Sequence, residues 1–266
     1  MARIALLGAT GRMGRRIAAL VAEGAVHRLT GALAVAGDPA LGEDAGQVAG
    51  VAALGTRVTS DLAEALRDAE VAIDFTLPGP SLVHARACRD RGIALVVGTT
   101  GHDAAQRAGL EAAATAIPLV IAPNMSLGVN VLLRLAELAA RALDASYDAE
   151  VFEAHHRHKV DAPSGTALAL GRAVAAGRGV ALADVELPPR SGATGPRPVG
   201  GIGFSVMRGG DIVGEHRLVF AGPGEQLELG HVALDRGAFG RGALRAAGWV
   251  VGRSPGVYTM ADVLGL

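Results

Sequence analysis

The stretch EAHHRHKVDAPSGTAL, residues 153–168, sets three histidines, an arginine and a lysine side by side and then turns into Asp-Ala-Pro-Ser-Gly-Thr. Like charges at that density repel, so an ordered segment of this kind calls for an anion docked against it. Pro163 and Ser164 read as a helix start, which aims the N–H groups of Gly165 and Thr166 outward at the positive end of the helix, and glycine lets a ligand carboxylate come close. Beside this carboxylate seat lie His155, a group that titrates near neutral pH, and Lys159, a strong cation able to hold a second anionic group or pass a proton. A small dicarboxylate that takes up one hydride and one proton would use all of these parts. A metal centre is the first rival, but HHRH lacks an HExxH helix and a second His or Cys cluster, so no metal is expected. A solvated basic loop is the second, and it leaves DAPSGTA without a purpose.

A hydride needs a donor, and GATGRMG follows the first apolar run. Gly8, Gly11 and Gly14, opening a helix, let the backbone turn tightly and approach a pyrophosphate, with Ala9, Thr10 and Met13 filling the turn. Arg12 either pairs with a dinucleotide phosphate or lies solvated, and a glycine turn without a ligand is the plain alternative. Gly98-Thr99-Thr100 and Ala122-Pro123-Asn124-Met125 leave the carboxyl ends of later strands, the edge where ligands lie on a parallel sheet, and are placed for a nicotinamide half unless they are ordinary turns. The carboxylate that usually bonds the adenine ribose, expected about 20 residues past the turn, is missing. Ala34 and Val35 stand there, and Asp38 comes only after Gly37. A ribose hydrogen bond is lost, and so is repulsion against a 2′-phosphate; the expected cofactor is NADPH or NADH.

These loops need a scaffold. RIALLGA, LTGALAV, VAIDFTL, IALVVGTTG and IPLVIAPN alternate with the helical patterns RRIAALVAEG, DLAEAL, HARACRDRG and AAQRAGLEAAATA, which predicts a parallel sheet with crossover helices. Asp61 and Glu64 are spaced as a capping box, and Gly92 closes a helix. After Asn124 a long amphipathic helix, VNVLLRLAELAARAL, leads to the strand AEVFEAHH, the basic stretch and a helix from about Ser164. Then FSVMRG, DIVGEHRLVFAG and EQLELGHVALD predict an antiparallel or mixed sheet, and GALRAAGWVVGR with the tail GVYTMADVLGL returns to the first domain. The fold class is therefore α/β, with a parallel-sheet domain over 1–126 and 236–266 and a mixed α/β domain over 127–235.

The 266 residues, half of them hydrophobic, can bury a large core, and 25 basic against 26 acidic side chains leave a net charge of −1. That balance carries no footprint for nucleic acid or an anionic membrane, so any anion site is local. The single cysteine, Cys88, is expected to be a plain buried thiol and suits a reducing compartment. No apolar run approaches the ~20 residues of a membrane span, so a cytoplasmic protein is expected.

GATGRMG, GTTG, APNMSLGVNVL, EAHHRHKVDAPSGTA, GDIVGEH and GALRAAGWV together resemble the dihydrodipicolinate reductase family, also called 4-hydroxy-tetrahydrodipicolinate reductase, of the lysine and diaminopimelate pathway. The resemblance runs over nearly the whole chain, and EAHHRHKVDAPSGTA is its specific part. It implies a Rossmann-like cofactor domain completed by the C-terminal helix and a substrate domain that builds a homotetramer through its sheet. It also implies His155 as general acid/base, Lys159 as the second proton-handling residue, His156 as a substrate contact, and Gly165 and Thr166 as holders of a carboxylate. Gly8 to Met13, Gly98 to Thr100 and Ala122 to Met125 would line the dinucleotide. Two departures stand out: Ala34 and Val35 replace an acidic residue often followed by arginine, and Ser191 and Ala193 in RSGATGPR replace polar or charged residues. A non-catalytic dinucleotide sensor and a reductase of another small dicarboxylate remain the rival functions.

Overall fold

Parallel neighbouring strands need a crossover between them, and helices supply it while packing over the sheet faces. The structure, a computed structural model, describes residues 1–266 and divides into two compact units, Met1–Leu127 with Arg236–Gly265, and Gly128–Asp235 with Leu266. The chain opens with β1 (Ala2–Leu7), α1 (Arg12–Glu23), β2 (His27–Leu33), α2 (Ala45–Val48), β3 (Val58–Thr59), α3 (Leu62–Ala65) and β4 (Val71–Asp74). It continues through α4 (Pro78–Arg91), β5 (Ala94–Val97), α5 (Ala104–Ala113), β6 (Pro118–Ile121), α6 (Leu127–Ala142), β7 (Asp148–His155), α7 (Gly165–Gly177) and α8 (Leu182–Val185). Last come β8 (Ile202–Arg208), β9 (Gly214–Gly222), β10 (Glu225–Ala233), α9 (Gly237–Val250), β11 (Gly256–Tyr258) and α10 (Met260–Leu264).

The first unit is a seven-stranded parallel sheet in the order β11-β6-β5-β4-β1-β2-β3, so the chain reverses direction across the sheet at β1 and β4. Ile4, Ala5, Leu6 and Leu7 are all fully buried, which is what covering both faces demands and why the strand reads as a continuous apolar run. Gly92 ends α4 in the left-handed region at φ 68°, as its position predicted. The capping box at Asp61 and Glu64 forms only in half. Asp61 accepts from the Ala63 and Glu64 amides, while the Glu64 carboxylate turns to the Thr59 hydroxyl at 2.7 Å and Asp61 N–H donates to that same hydroxyl. A complete box stands instead at Asp103 and Gln106.

The return of the C-terminus is built on small residues. At Gly242 in α9 a Cβ would lie 1.6 Å from the Met125 carbonyl oxygen, so only glycine lets α9 lie this close to the Met125 loop, while at Gly240 one would press on the end of the Leu20 side chain of α1 at 2.7 Å. The tail then adds β11 beside β6, a strand too short to show a pattern in sequence.

The second unit carries a mixed sheet, β10-β9-β7-β8, in which β7 runs antiparallel to β9 and parallel to β8. Leu132, Ala136 and Ala140 of α6 and Leu170 and Val174 of α7 pack on Ala149, Val151, Leu218 and Phe220. The period of two along β7 puts Glu153 and His155 on the same inward face as Ala149 and Val151. Met207 and Val232 are 47% and 56% exposed on the strands. No helix is long and apolar enough to cross a membrane.

Candidate active site

Glu153 is fully buried, and a buried carboxylate is tolerable only with its acceptor positions filled. Arg208 at the end of β8 donates to both oxygens, at 2.8 Å and 2.7 Å, while Ser164 N–H reaches one at 2.9 Å and His155 Nδ1 the other at 2.6 Å. Burial pushes the Glu153 pKa up, but the Arg208 and His155 hydrogen bonds outweigh it and hold the carboxyl below its usual range. Arg208 is raised in turn by that same carboxylate. Arg208 carries no signal in the residues alone. Glu153 was recoverable, since it stands two residues before His155 on one strand face.

The Glu153 contact makes Nδ1 of His155 a donor, which leaves Nε2 to exchange protons. A Cβ on Gly214 would come within 3.1 Å of that Nε2, so glycine at 214 keeps it clear. Burial is the largest influence on His155 and lowers its pKa; Glu153 pulls the other way, while Lys159 and Arg208 add to the lowering. His216 of β9 stands edge-on to His155 with ring centroids 5.1 Å apart, its Nε2 is 3.1 Å from the Ser164 hydroxyl, and burial brings its pKa down to about 4. Ser164 caps α7 as its position predicted, its hydroxyl accepting from Ala167 N–H at 3.1 Å. Gly165 is exposed, with open space where a Cβ would be, and Thr166 follows it in the first turn. Lys159 is ion-paired with Asp161 at 2.9 Å, and its N–H donates to the His156 carbonyl. His156 Nδ1 is shut off from solvent without a hydrogen-bond partner. His155, Ser164 and the start of α7 are thus joined by hydrogen bonds through Glu153, whereas Lys159 is tied in through its charge on His155 and its pair with Asp161, whose carbonyl accepts from Arg208. No group of three or more His, Cys, Asp or Glu side chains could hold a metal ion.

In the first unit, Gly8 turns at φ +86°, and Gly8 and Ala9 N–H both donate to the Leu33 carbonyl, pinning the turn to the end of β2. Gly11 caps α1 without a side-chain hydrogen bond, leaving first-turn N–H groups for a ligand. Gly8, Thr10 and Gly11 line a cavity of about 680 Å³ together with Leu33, Ala34 and Val35. Met13, Gly98, Pro123, Asn124 and Met125 line another of about 280 Å³, with Phe75, Arg236 and Phe239, three residues the sequence did not single out. Both cavities open at the carboxyl ends of β-strands, where glycine-lined phosphate turns and apolar walls fit a dinucleotide. Arg12 and Thr100 are exposed, while Ala9 and Ala122 are buried. The Thr99 hydroxyl turns inward to Asp74 at 2.9 Å, an unexposed carboxylate that also takes Thr76, Ser81 and His84 Nδ1. Asp38, absent from the expected ribose position, bonds the Thr10 hydroxyl at 2.7 Å. Cys88 is fully buried and its thiol is pushed up to about 12 by burial, an inert thiol as expected.

Two family profiles cover almost the entire chain: "Dihydrodipicolinate reductase, N-terminus" over residues 2–125 and "Dihydrodipicolinate reductase, C-terminus" over 128–264. The chain belongs to the dihydrodipicolinate reductase family. Among its relatives, the 4-hydroxy-tetrahydrodipicolinate reductase of Alkalilimnicola ehrlichii is 54% identical over 99% of both chains, and that of Thiobacillus denitrificans 52% identical over 99% of this chain and 98% of its own. A dipicolinate-bound dihydrodipicolinate reductase from Paenisporosarcina superposes with a TM-score of 0.77, at 24% identity and 98% coverage of each chain. An amine dehydrogenase of Mycobacterium smegmatis shares the fold at a TM-score of 0.66 and 14% identity, over 97% of this chain and 95% of its own. As a member of this family the reductase is an NAD(P)H-dependent oxidoreductase with a Rossmann-like first unit.

Proposed function

We propose that the chain reduces 4-hydroxy-tetrahydrodipicolinate to tetrahydrodipicolinate, with loss of water, at the expense of NADH or NADPH in lysine and diaminopimelate biosynthesis. The observation that carries this is the coupling of His155, through buried Glu153, to the start of α7, which puts an acid/base and an anion-receiving helix end in one hydrogen-bonded group. Such a pairing suits a substrate that is anionic and must be protonated.

The nicotinamide, when bound, supplies the hydride, which goes to carbon four of the cyclic unsaturated imine. The dinucleotide would be held by the amides of Gly8 to Met13, with Gly98 to Thr100 and Ala122 to Met125 around it. In the second unit, Gly165 and Thr166 seat one carboxylate and His156 contacts the ring. Lys159 exchanges Asp161 for the second carboxylate or passes a proton. His155 carries a proton on Nδ1 toward Glu153 and exchanges the other at Nε2, neutralising the electron density left by reduction. An anionic substrate opposes the lowering of the His155 pKa by Lys159 and Arg208, so binding favours the protonated form that the reaction needs. The exposed Met207 and Val232 fit burial of the second sheet between copies in a homotetramer, and the free thiol fits the cytoplasm.

The test is cofactor consumption with freshly prepared hydroxy-tetrahydrodipicolinate, run in parallel with NADH and NADPH. Substrate-dependent oxidation is expected with both, since neither a carboxylate nor a cation stands at Ala34 and Val35. Binding of either dinucleotide without turnover would return the protein to the sensor class.

A further inference from the structure

Glu153 opens the basic segment without a role of its own in it, yet His155, the start of α7 and Arg208 of β8 all end on it. We propose that Glu153 is the positioning residue that joins the two halves of the substrate site, orienting the His155 imidazole and anchoring the start of α7 at once, with Arg208 as its counter-charge. The inference rests on the reading of His155 as the acid/base and of the α7 start as the carboxylate seat.

The geometry leaves little freedom. Each Glu153 oxygen takes two donors: Oε1 takes Ser164 N–H at 2.9 Å and Arg208 at 2.7 Å, and Oε2 takes His155 Nδ1 at 2.6 Å and Arg208 at 2.8 Å. Four donors fill the acceptor positions of one carboxylate, so none can be exchanged for another without leaving a buried group unpaired. Ser164 is the N-cap of α7, and its hydroxyl lies on His216, which itself packs edge-on to His155. The imidazole and the helix start therefore cannot reorient independently. The charged and titratable groups facing His155 are Glu153 on its own strand, Lys159 on the following loop with Asp161 paired to it, Arg208 from β8 and His216 from β9. Of these, Glu153 and Arg208 act on the His155 proton in opposite senses.

That opposition supplies a test which mere structural support would fail. In the full-length protein with labelled histidine, the His155 titration midpoint is followed by NMR for the parent, Glu153→Gln and Arg208→Gln. Loss of the carboxylate is expected to lower the midpoint by about one pH unit or more, and loss of the guanidinium, the weaker influence, to raise it by less. Arg208→Lys, which keeps the charge, is expected to stay near the parent. In the assay, Glu153→Gln should lower kcat by about 10²-fold and raise the substrate KM, because both halves of the site are disturbed, while the dissociation constant for NADH stays unchanged. Midpoints that move in the same direction in Glu153→Gln and Arg208→Gln, or that do not move, overturn the proposal. Should Glu153→Gln fail to fold, the contrast between Arg208→Gln and Arg208→Lys decides. Should the parent turn nothing over while the midpoints diverge as expected, the assigned substrate is wrong and the positioning role stands.

Discussion

The two ligand-facing regions of this reductase are built from different materials. The glycine turn of the first unit is main chain: Gly8 at φ +86°, amides pinned to the Leu33 carbonyl, and a helix cap with no side chain in it. The site of the second unit is side chain, with a buried carboxylate, a guanidinium and two imidazoles converging from β7, β8 and β9. A main-chain site binds whatever presents a pyrophosphate and is indifferent to protonation. A side-chain site of this kind is set by charge, so it answers to pH and to single substitutions that leave the backbone intact. One region is suited to hold a cofactor, the other to do chemistry.

The sharpest way to break this contrast is to put bulk in the turn. A Cβ on Gly14 would lie 2.1 Å from the Gly8 carbonyl oxygen, so Gly14→Val should abolish dinucleotide binding altogether, read by fluorescence titration with NADPH. His155→Ala should do the reverse, reducing turnover by about 10²-fold or more with cofactor affinity unchanged, and Lys159→Ala should follow it; intact turnover in purified variants would remove both from the mechanism.

A smaller effect concerns pH and folding. His216 has its pKa brought from 6.5 to about 4 by burial. The unfolded chain therefore binds this proton first, and the contribution of His216 to stability is complete above pH 6.5 and is lost as pH falls toward 4. The loss is about 3 kcal/mol at most. Denaturant midpoints for the parent and His216→Gln should converge as the pH drops through that window. Smallest is Ser164→Ala, which removes the cap of α7 and should cost about 1 kcal/mol of stability with a raised substrate KM and an unaltered NADH affinity.

The same contrast explains what could be read from residues alone. The parallel sheet was legible because strands buried on both faces are uninterrupted apolar runs, and the glycine turn because its requirement is local and residue-specific. The histidine segment drew attention through its charge density and its family likeness. Arg208, which completes the group, lies 55 residues from Glu153 and becomes its neighbour only through the parallel pairing of β7 with β8. His216 is brought in by the antiparallel pairing of β7 with β9. Phe75, Arg236 and Phe239 were hidden for a related reason, since the cavity wall is assembled from loops and helix ends that share no spacing. The half-formed box at Asp61 shows the opposite limit: its spacing was right, but the neighbouring Thr59 hydroxyl took the glutamate.

The glycine at 242 has a consequence for the order in which the molecule can be made. The loop holding Met125 is closed from behind by a helix synthesised more than a hundred residues later. A nascent chain can pair β1 to β6 early, yet the cavity beside Met125 gains its Arg236 and Phe239 wall only when Gly237–Val250 has left the ribosome, so the first unit closes only after the whole second unit has been made.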